Sequence, residues 1–206
     1  DPYFLEYIKE KPFVLTVHDM IHEKFPEYFS KKDLAADWKR ILIPKAQHII
    51  SVSENTKKDL LDIYDIPESK ISVIYHGSSL KKEVKKIELP NKYILYIGSR
   101  YGYKNFNFLI KAISQILIEN RITLLCIGNS FALEEEKSMY SLGIKGFCKT
   151  IQAQDDEMYT IYSNALCFIF PSLYEGFGIP ILEAFEAGCP VLVSDIKCFR
   201  EIANDA

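Results

Sequence analysis

The sequence contains no run of about 20 consecutive apolar residues, so no membrane-spanning helix is expected. Its first residues lack the basic and then apolar pattern of a signal peptide. Positive charge is not in excess either: 25 Lys and Arg stand against 28 Asp and Glu, a formal net charge of −3. That balance provides no general attraction to a phosphate backbone, and no nucleic-acid partner is expected. The one dense basic run, Lys81-Lys82-Glu83-Val84-Lys85-Lys86, is short and reads as a solvated linker face, which leaves peripheral contact with an inner membrane face open. Neither Cys-x-x-Cys nor His-Glu-x-x-His spacing occurs, so neither a metal nor a cofactor is expected. The cysteines, Cys126, Cys148, Cys167, Cys189 and Cys198, are scattered and lie mostly in apolar stretches. They fit buried thiols of a reducing compartment, and a cytoplasmic location is expected.

What the sequence does have is a steady alternation of short apolar runs and amphipathic segments, the pattern of an α/β protein with parallel sheets. Strands are predicted over Phe13–Val17, His48–Val52 and Ile71–Tyr75, with helices over Lys31–Ile43 and Asn55–Tyr64. After a polar, lysine-rich stretch from about Ser78 to Asn91, further strands are predicted over Tyr93–Ile97, Thr123–Ile127, Gly146–Thr150, Leu166–Phe170 and Pro190–Val193. Phe106, Leu109, Ile110, Ile113, Ile116 and Leu117 have the spacing of a core-facing helix. The domain organisation expected from this is a first domain over 1–80, a linker over 81–91 and a second domain over 92–206.

The most informative segment is Pro171-Ser172-Leu173-Tyr174-Glu175-Gly176-Phe177-Gly178-Ile179-Pro180-Ile181-Leu182-Glu183. It follows an apolar strand and runs into a helix, Ile179–Ala187, with Pro180 in the first turn, where a missing N–H costs nothing. A loop at a strand's carboxyl end is where open parallel sheets bind ligands, and the helix start offers unpaired N–H groups to an anion. Gly176 and Gly178 allow close backbone approach. Glu175 and Glu183 add carboxylates that accept hydrogen bonds from hydroxyls. A phosphorylated ligand with hydroxyls, such as a sugar nucleotide, fits all three features. The competing reading is a plain turn with glutamates favoured by the helix dipole.

The run continues as Ala184-Phe185-Glu186-Ala187-Gly188-Cys189-Pro190-Val191-Leu192-Val193-Ser194 and Arg200-Glu201-Ile202. Ahead of it come Thr16-Val17-His18-Asp19, Ile50-Ser51-Val52-Ser53-Glu54, Ile74-Tyr75-His76-Gly77, and Tyr96-Ile97-Gly98-Ser99 with Lys104-Asn105. In order and spacing these pieces resemble glycosyltransferase family 4, the retaining transferases of the GT-B fold. The resemblance implies two Rossmann-like domains with parallel sheets facing across a cleft, the first on the acceptor side and the second binding the donor. The chain begins at Asp1 without a methionine, and it ends at Asn204-Asp205-Ala206 inside what reads as a continuing helix. The family's opening units and terminal helices are not found, so a fragment with an incomplete first domain is expected.

The activity implied is transfer of a hexose, with a slight leaning to mannose, from a nucleotide-diphosphate sugar such as GDP-mannose or a UDP-hexose to a glycan or lipid-linked acceptor. In that reading Lys104 and Arg100 hold the diphosphate, with Arg100 away from the family's usual placements and a solvated loop arginine as its alternative. Gly98 opens the loop that carries them. Glu175 lies beside the donor sugar, and Gly176, Phe177, Gly178 and Ile179 form the backbone of the donor loop. Glu183 takes the ribose hydroxyls, and His18 lies near sugar and acceptor. Asp19 either orients His18 or caps the next segment. His76 is structural or cleft-lining, and His22 and His48 carry no role. Retention is explained in the family by front-face displacement through an oxocarbenium-like state, which makes Glu175 an electrostatic and positioning group, unlike the paired carboxylates of a glycosidase. A sugar-nucleotide epimerase of the same architecture and a non-catalytic nucleotide-sugar-binding fragment are the alternatives.

Overall fold

The computed structural model describes residues 5, 7, 9 and 11–204 of the chain. The first four residues, on which the absence of a signal peptide partly rests, and Asp205 and Ala206 lie outside them. The described residues divide into two compact units.

The first unit holds a parallel sheet of β1 (Val14–Val17), β2 (His48–Ser51) and β3 (Ile71–Val73), in that order. Register aligns Leu15 with Ile49 and Ile49 with Ile71, so one row of apolar side chains points to a single face. That row packs with Val17, Met20, Ile43, Ala46 and Leu60 into the unit's core. Its helices are α1 (Ile21–Lys24), α2 (Ala35–Lys45) and α3 (Glu54–Ile63). Helix α2 starts later than predicted, after a turn in which Asp33 Oδ1 accepts the Ala35 N–H at 2.9 Å. Ser53 caps α3 by accepting the Thr56 N–H at 2.9 Å.

The second unit holds a sheet of β4 (Tyr93–Ile97), β5 (Thr123–Ile127), β6 (Cys148–Ile151), β7 (Cys167–Phe170) and β8 (Val191–Val193). Every pairing is parallel and the order is β6-β5-β4-β7-β8. The chain thus winds outward from β4 in one direction and later from β7 in the other. Its helices are α4 (Phe106–Asn120), α5 (Leu133–Ser141), α6 (Met158–Ser163) and α7 (Ile179–Glu186). Helix α7 closes at Gly188, whose φ of 68° suits the left-handed end of a helix. A last helix, α8 (Lys197–Ala203), belongs to the first unit. It stops at Asn204, which has a φ of 53°, so the helix expected to continue through residue 204 ends there instead.

Every predicted strand is found within two residues of its expected limits. The division of the chain differs from the expected one. The first unit takes residues 1–76 together with Tyr174–Gly178 and 196–206, and the second takes Gly77–Leu173 and Ile179–Asp195. The stretch read as a linker carries no helix or strand and runs along α6, where the Lys85 N–H donates to Thr160 Oγ1 at 2.8 Å and Lys85 Nζ lies 3.0 Å from Asp156. The five cysteines are all free thiols. Burial pushes the Cys148 and Cys189 thiols up to about 11 and Cys198 up to about 12.

Of the residues expected on the inner face of α4, Phe106, Leu109, Ile110, Ile113 and Leu117 are buried, but Ile116 is 48% exposed. At about 100° per residue Ile116 falls on the margin of the apolar stripe. Ile110→Ala should therefore cost about 2–5 kcal/mol in urea unfolding, and Ile116→Ala no more than about 0.5 kcal/mol. Equal losses would contradict the orientation of α4.

Candidate functional site

In a doubly wound sheet the crevice forms where the winding direction reverses, outside the carboxyl ends of the strands. In the second unit that point lies between β4 and β7. The loop after β4 contains Gly98, with a φ of 106° that other residues rarely adopt, and runs through a single 3-10 turn, Gly102–Lys104. The loop after β7 meets it directly, the Leu173 N–H donating to the Tyr103 carbonyl at 2.8 Å. Lys104 was expected at the helix start. It sits two residues ahead of α4, with Asn105 between them in a left-handed conformation at φ 58°. Its ammonium lies over the rings of Tyr103 and Phe170, 5.1 and 5.4 Å from their centroids, and Phe170 is the last residue of β7. The cation is therefore held at the switch point of the sheet. Helix α7 begins a few residues after β7, and Glu183 on it accepts a hydrogen bond from Tyr162 Oη at 2.8 Å.

Arg100 is placed differently from the diphosphate clamp expected of it. Its Nε donates to Glu135 Oε1 at 2.9 Å, and one terminal nitrogen donates to the carbonyls of Asn129 and Ser130 at 2.9 and 2.8 Å. The guanidinium lies over the rings of Phe131 and Phe106, and its side chain is only 7% exposed. Those contacts make Arg100 a brace between the loops after β4 and β5 rather than a solvated arginine. Beside it a cavity of about 770 Å³ opens, lined by Gly98, Ser99, Asn107, Gly128 and Glu135 among others. Its lining includes neither Lys104 nor Glu183.

The segment Tyr174–Gly178 belongs to the first unit, and there it is fixed from both sides. Gly176 lies so close to the backbone of His18 that any side chain at that position would overlap the His18 carbonyl. The Gly176 carbonyl accepts from Ser53 Oγ at 2.6 Å and Thr56 Oγ1 at 3.1 Å. Tyr174 Oη donates to Asp59 Oδ2 at 2.7 Å and accepts the Met20 N–H at 3.2 Å. Asp59, 4% exposed, also takes Lys24 Nζ at 2.5 Å. Burial, and then the Asp59 carboxylate, raise the Tyr174 phenol well above its ordinary range, so it remains a donor. Glu175 is thereby held half-buried between two anchored neighbours. Gly178, with a φ of 122°, makes the turn into α7.

His18 itself is exposed, at the carboxyl end of β1. Its ring stacks on His76 with centroids 5.6 Å apart and planes within 5°. His76 in turn meets the buried ring of Phe177 edge-on at 5.3 Å. Asp19 accepts the Ile21 N–H at 3.0 Å, which makes the turn that leads into α1. His22 pairs with Asp33, and His48 with Ser72. Among the described residues no group of three or more His, Cys, Asp or Glu could hold a metal ion, and no helix is long and apolar enough to cross a membrane.

A parallel sheet with a cation and a helix start at its switch point has the elements with which open α/β sheets bind anionic ligands. Residues 78–206 match the family of glycosyl transferases group 1, and residues 3–82 match glycosyltransferase family 4. The first match covers more than half of the chain, which therefore belongs to the group 1 glycosyl transferases. The O-antigen chain mannosyltransferase RfbU of Salmonella typhimurium is 29% identical over 192 residues, covering 93% of this chain and 54% of that protein. The O-antigen chain mannosyltransferase B of Escherichia coli is 26% identical, covering 94% and 55%. The chain spans about half the length of the curated relatives it matches. Among solved structures, WaaG, a glycosyltransferase involved in lipopolysaccharide biosynthesis, superimposes with a TM-score of 0.70 at 17% identity, covering 92% of this chain and 59% of that one. A glycosyltransferase from Rickettsia africae gives 0.70 at 19% identity, covering 94% and 54%. The fold is that of the GT-B glycosyltransferases.

Sequence reasoning missed Tyr174, Asp59, Ser53, Thr56 and Tyr162 as supports. Ser53 and Thr56 carry the local signal of a helix cap, but the Tyr174–Asp59 pair is 115 residues apart and has none. Gly176→Ala should lower stability by at least about 1–3 kcal/mol, the range for overpacking, whereas an unchanged melting temperature would contradict the contact with His18. Burial, and after it His18, hold the His76 imidazole below its ordinary value of 6.5. The unfolded chain then binds that proton at higher pH than the folded one. The stabilisation is complete above about pH 6.5 and is lost as pH falls through that value toward the folded one. Wild type should lose more melting temperature between pH 7.5 and 5.5 than His76→Asn, and equal slopes would refute this.

Proposed function

We propose that the protein to which this chain belongs is a retaining hexosyltransferase that moves a hexose, with mannose favoured, from a nucleotide-diphosphate sugar to a glycan or lipid-linked acceptor in the cytoplasm. The observation that carries this reading is the packing of Gly176 on His18, which sets the donor-motif carboxylate Glu175 and an exposed imidazole in one unit. The names of the relatives, O-antigen chain mannosyltransferases, support mannose and a glycan product. A relative of known structure, the pneumococcal O-GlcNAc transferase GtfA, was crystallised with UDP and GlcNAc, which supports a nucleotide-sugar donor.

Lys104 neutralises charge on the diphosphate as the sugar–oxygen bond breaks, helped by the N–H groups at the start of α7. Glu183 accepts from the ribose hydroxyls. Glu175 stabilises positive charge on the anomeric carbon, and the phosphate oxygen that leaves takes the acceptor proton on the same face of the sugar. His18 aligns donor sugar and acceptor by hydrogen bonding, a contribution of orientation. Each of these groups works without a metal or a cofactor. Arg100 is not assigned a part in the transfer.

The test is turnover of the full-length protein with UDP-, GDP- and ADP-sugars and a glycan acceptor. Lys104→Ala should weaken nucleotide-sugar binding by about tenfold or more, as expected for a lost charge-assisted hydrogen bond. Glu175→Gln should lower kcat by about 10²-fold or more with little change in nucleotide affinity. A product of inverted anomeric configuration would refute retention. An epimerised nucleotide sugar formed without acceptor would refute transfer.

A further inference from the structure

Tyr162 lies on α6, fully buried, with its ring edge-on to Phe168 at a centroid distance of 5.7 Å. Its hydroxyl reaches Glu183 Oε2 on α7 at 2.8 Å. A carboxylate has only acceptors, so the phenol must be the donor. Burial first, and the Glu183 charge after it, raise the Tyr162 phenol above its ordinary range, so the donor proton stays in place at any working pH. Oε1 of Glu183 makes no hydrogen bond to the described residues, and the side chain is only partly buried. One oxygen is thus fixed by the protein and the other is not. A glutamate on a helix otherwise samples several rotamers, and holding one of them costs side-chain entropy that a rigid buried phenol removes in advance.

We infer that Tyr162 is a positioning residue of the donor site, which aims Glu183 Oε1 at the vicinal hydroxyls of a ribonucleotide and thereby makes the protein select ribose over 2′-deoxyribose. The inference rests on the proposed role of Glu183. It adds a residue of no assigned role and a property, sugar discrimination in the nucleotide, that follows from its geometry. A site that presents a fixed acceptor to a hydroxyl penalises the ligand that lacks it, whereas a mobile acceptor penalises it little.

The experiment is binding of GDP and 2′-deoxy-GDP, with UDP and 2′-deoxy-UDP beside them, to the full-length protein by calorimetry. Wild type should prefer the ribonucleotide of whichever pair it binds by about tenfold, the worth of one hydrogen bond to a charged group. Tyr162→Phe should lose most of that preference by weakening the ribonucleotide and leaving the deoxynucleotide nearly unchanged. Because the preference is a ratio, a smaller folded fraction affects both ligands alike. Glu183→Gln, which still accepts from Tyr162, should keep more of the preference than Glu183→Ala. If Glu183→Ala discriminates as well as wild type, or wild type does not discriminate, the ribose role of Glu183 fails. If Glu183→Ala abolishes the preference and Tyr162→Phe retains it, the positioning role of Tyr162 is overturned.

Discussion

The contact on which the first unit depends is the one that forbids a side chain at position 176. With Gly176 against the His18 backbone, its carbonyl can reach two hydroxyls, Ser53 and Thr56, that already belong to the cap of α3. The same hydroxyl therefore starts a helix and anchors a loop. Tyr174 is drawn into line with Asp59 one turn further along α3, and Phe177 into contact with His76 and, through its carbonyl, with Cys198 of α8. Helix α8 returns the favour: the Glu201 carboxylate accepts the N–H groups of Glu54 and Asn55 at 2.7 and 3.0 Å, beside the α3 cap. An anionic side chain at a helix N-terminus satisfies donors that nothing inside the helix can. Three stretches far apart in sequence are held together largely through the first turns of one helix.

Burial explains why this arrangement needs so many polar groups. Asp59 is almost completely buried, and a lone carboxylate there would be costly. Lys24, Tyr174 and Asn55 share its two oxygens. Removing one of them leaves a desolvated acceptor rather than a simple gap, so the network is worth more intact than its separate bonds suggest. The geometry it enforces is that of the segment flanking Glu175.

The architecture was legible because it rests on local pattern. Period-two and continuous apolar runs located all the strands, and the spacing of Phe106, Leu109, Ile110, Ile113 and Leu117 located the face of α4. The glycine loop and the helix after it were legible as well, since Gly176, Gly178 and Pro180 lie within a few residues of one another. What was not legible depends on partners distant in sequence. Which unit would own Tyr174–Gly178 is decided by Asp59 and Ser53, more than 100 residues away. The use of Arg100 is decided by Glu135 and by two carbonyls of the loop after β5. The start of α2 was missed for the opposite reason: a local turn, in which Asp33 Oδ1 takes the Ala35 N–H, precedes the helix where the helical pattern had already begun.

Arg100 and Lys104 show how neighbouring cations on one loop come to different ends. A guanidinium has five donors in a plane and stacks on rings, so a pocket walled by Phe106 and Phe131 and edged by carbonyls and Glu135 suits it fully. Nearly closed off from water, it stiffens two loops. An ammonium is a compact point charge on a flexible stem. Lys104 is cradled over Tyr103 and Phe170 at the sheet's switch point, where strand ends and a helix start favour an anion. The guanidinium is fixed among loop carbonyls and rings, while the ammonium rests on two rings at the strand ends. Tyr162 and Glu183 are likewise held by a direct contact, the buried phenol giving its only proton to fix the carboxylate that remains partly exposed.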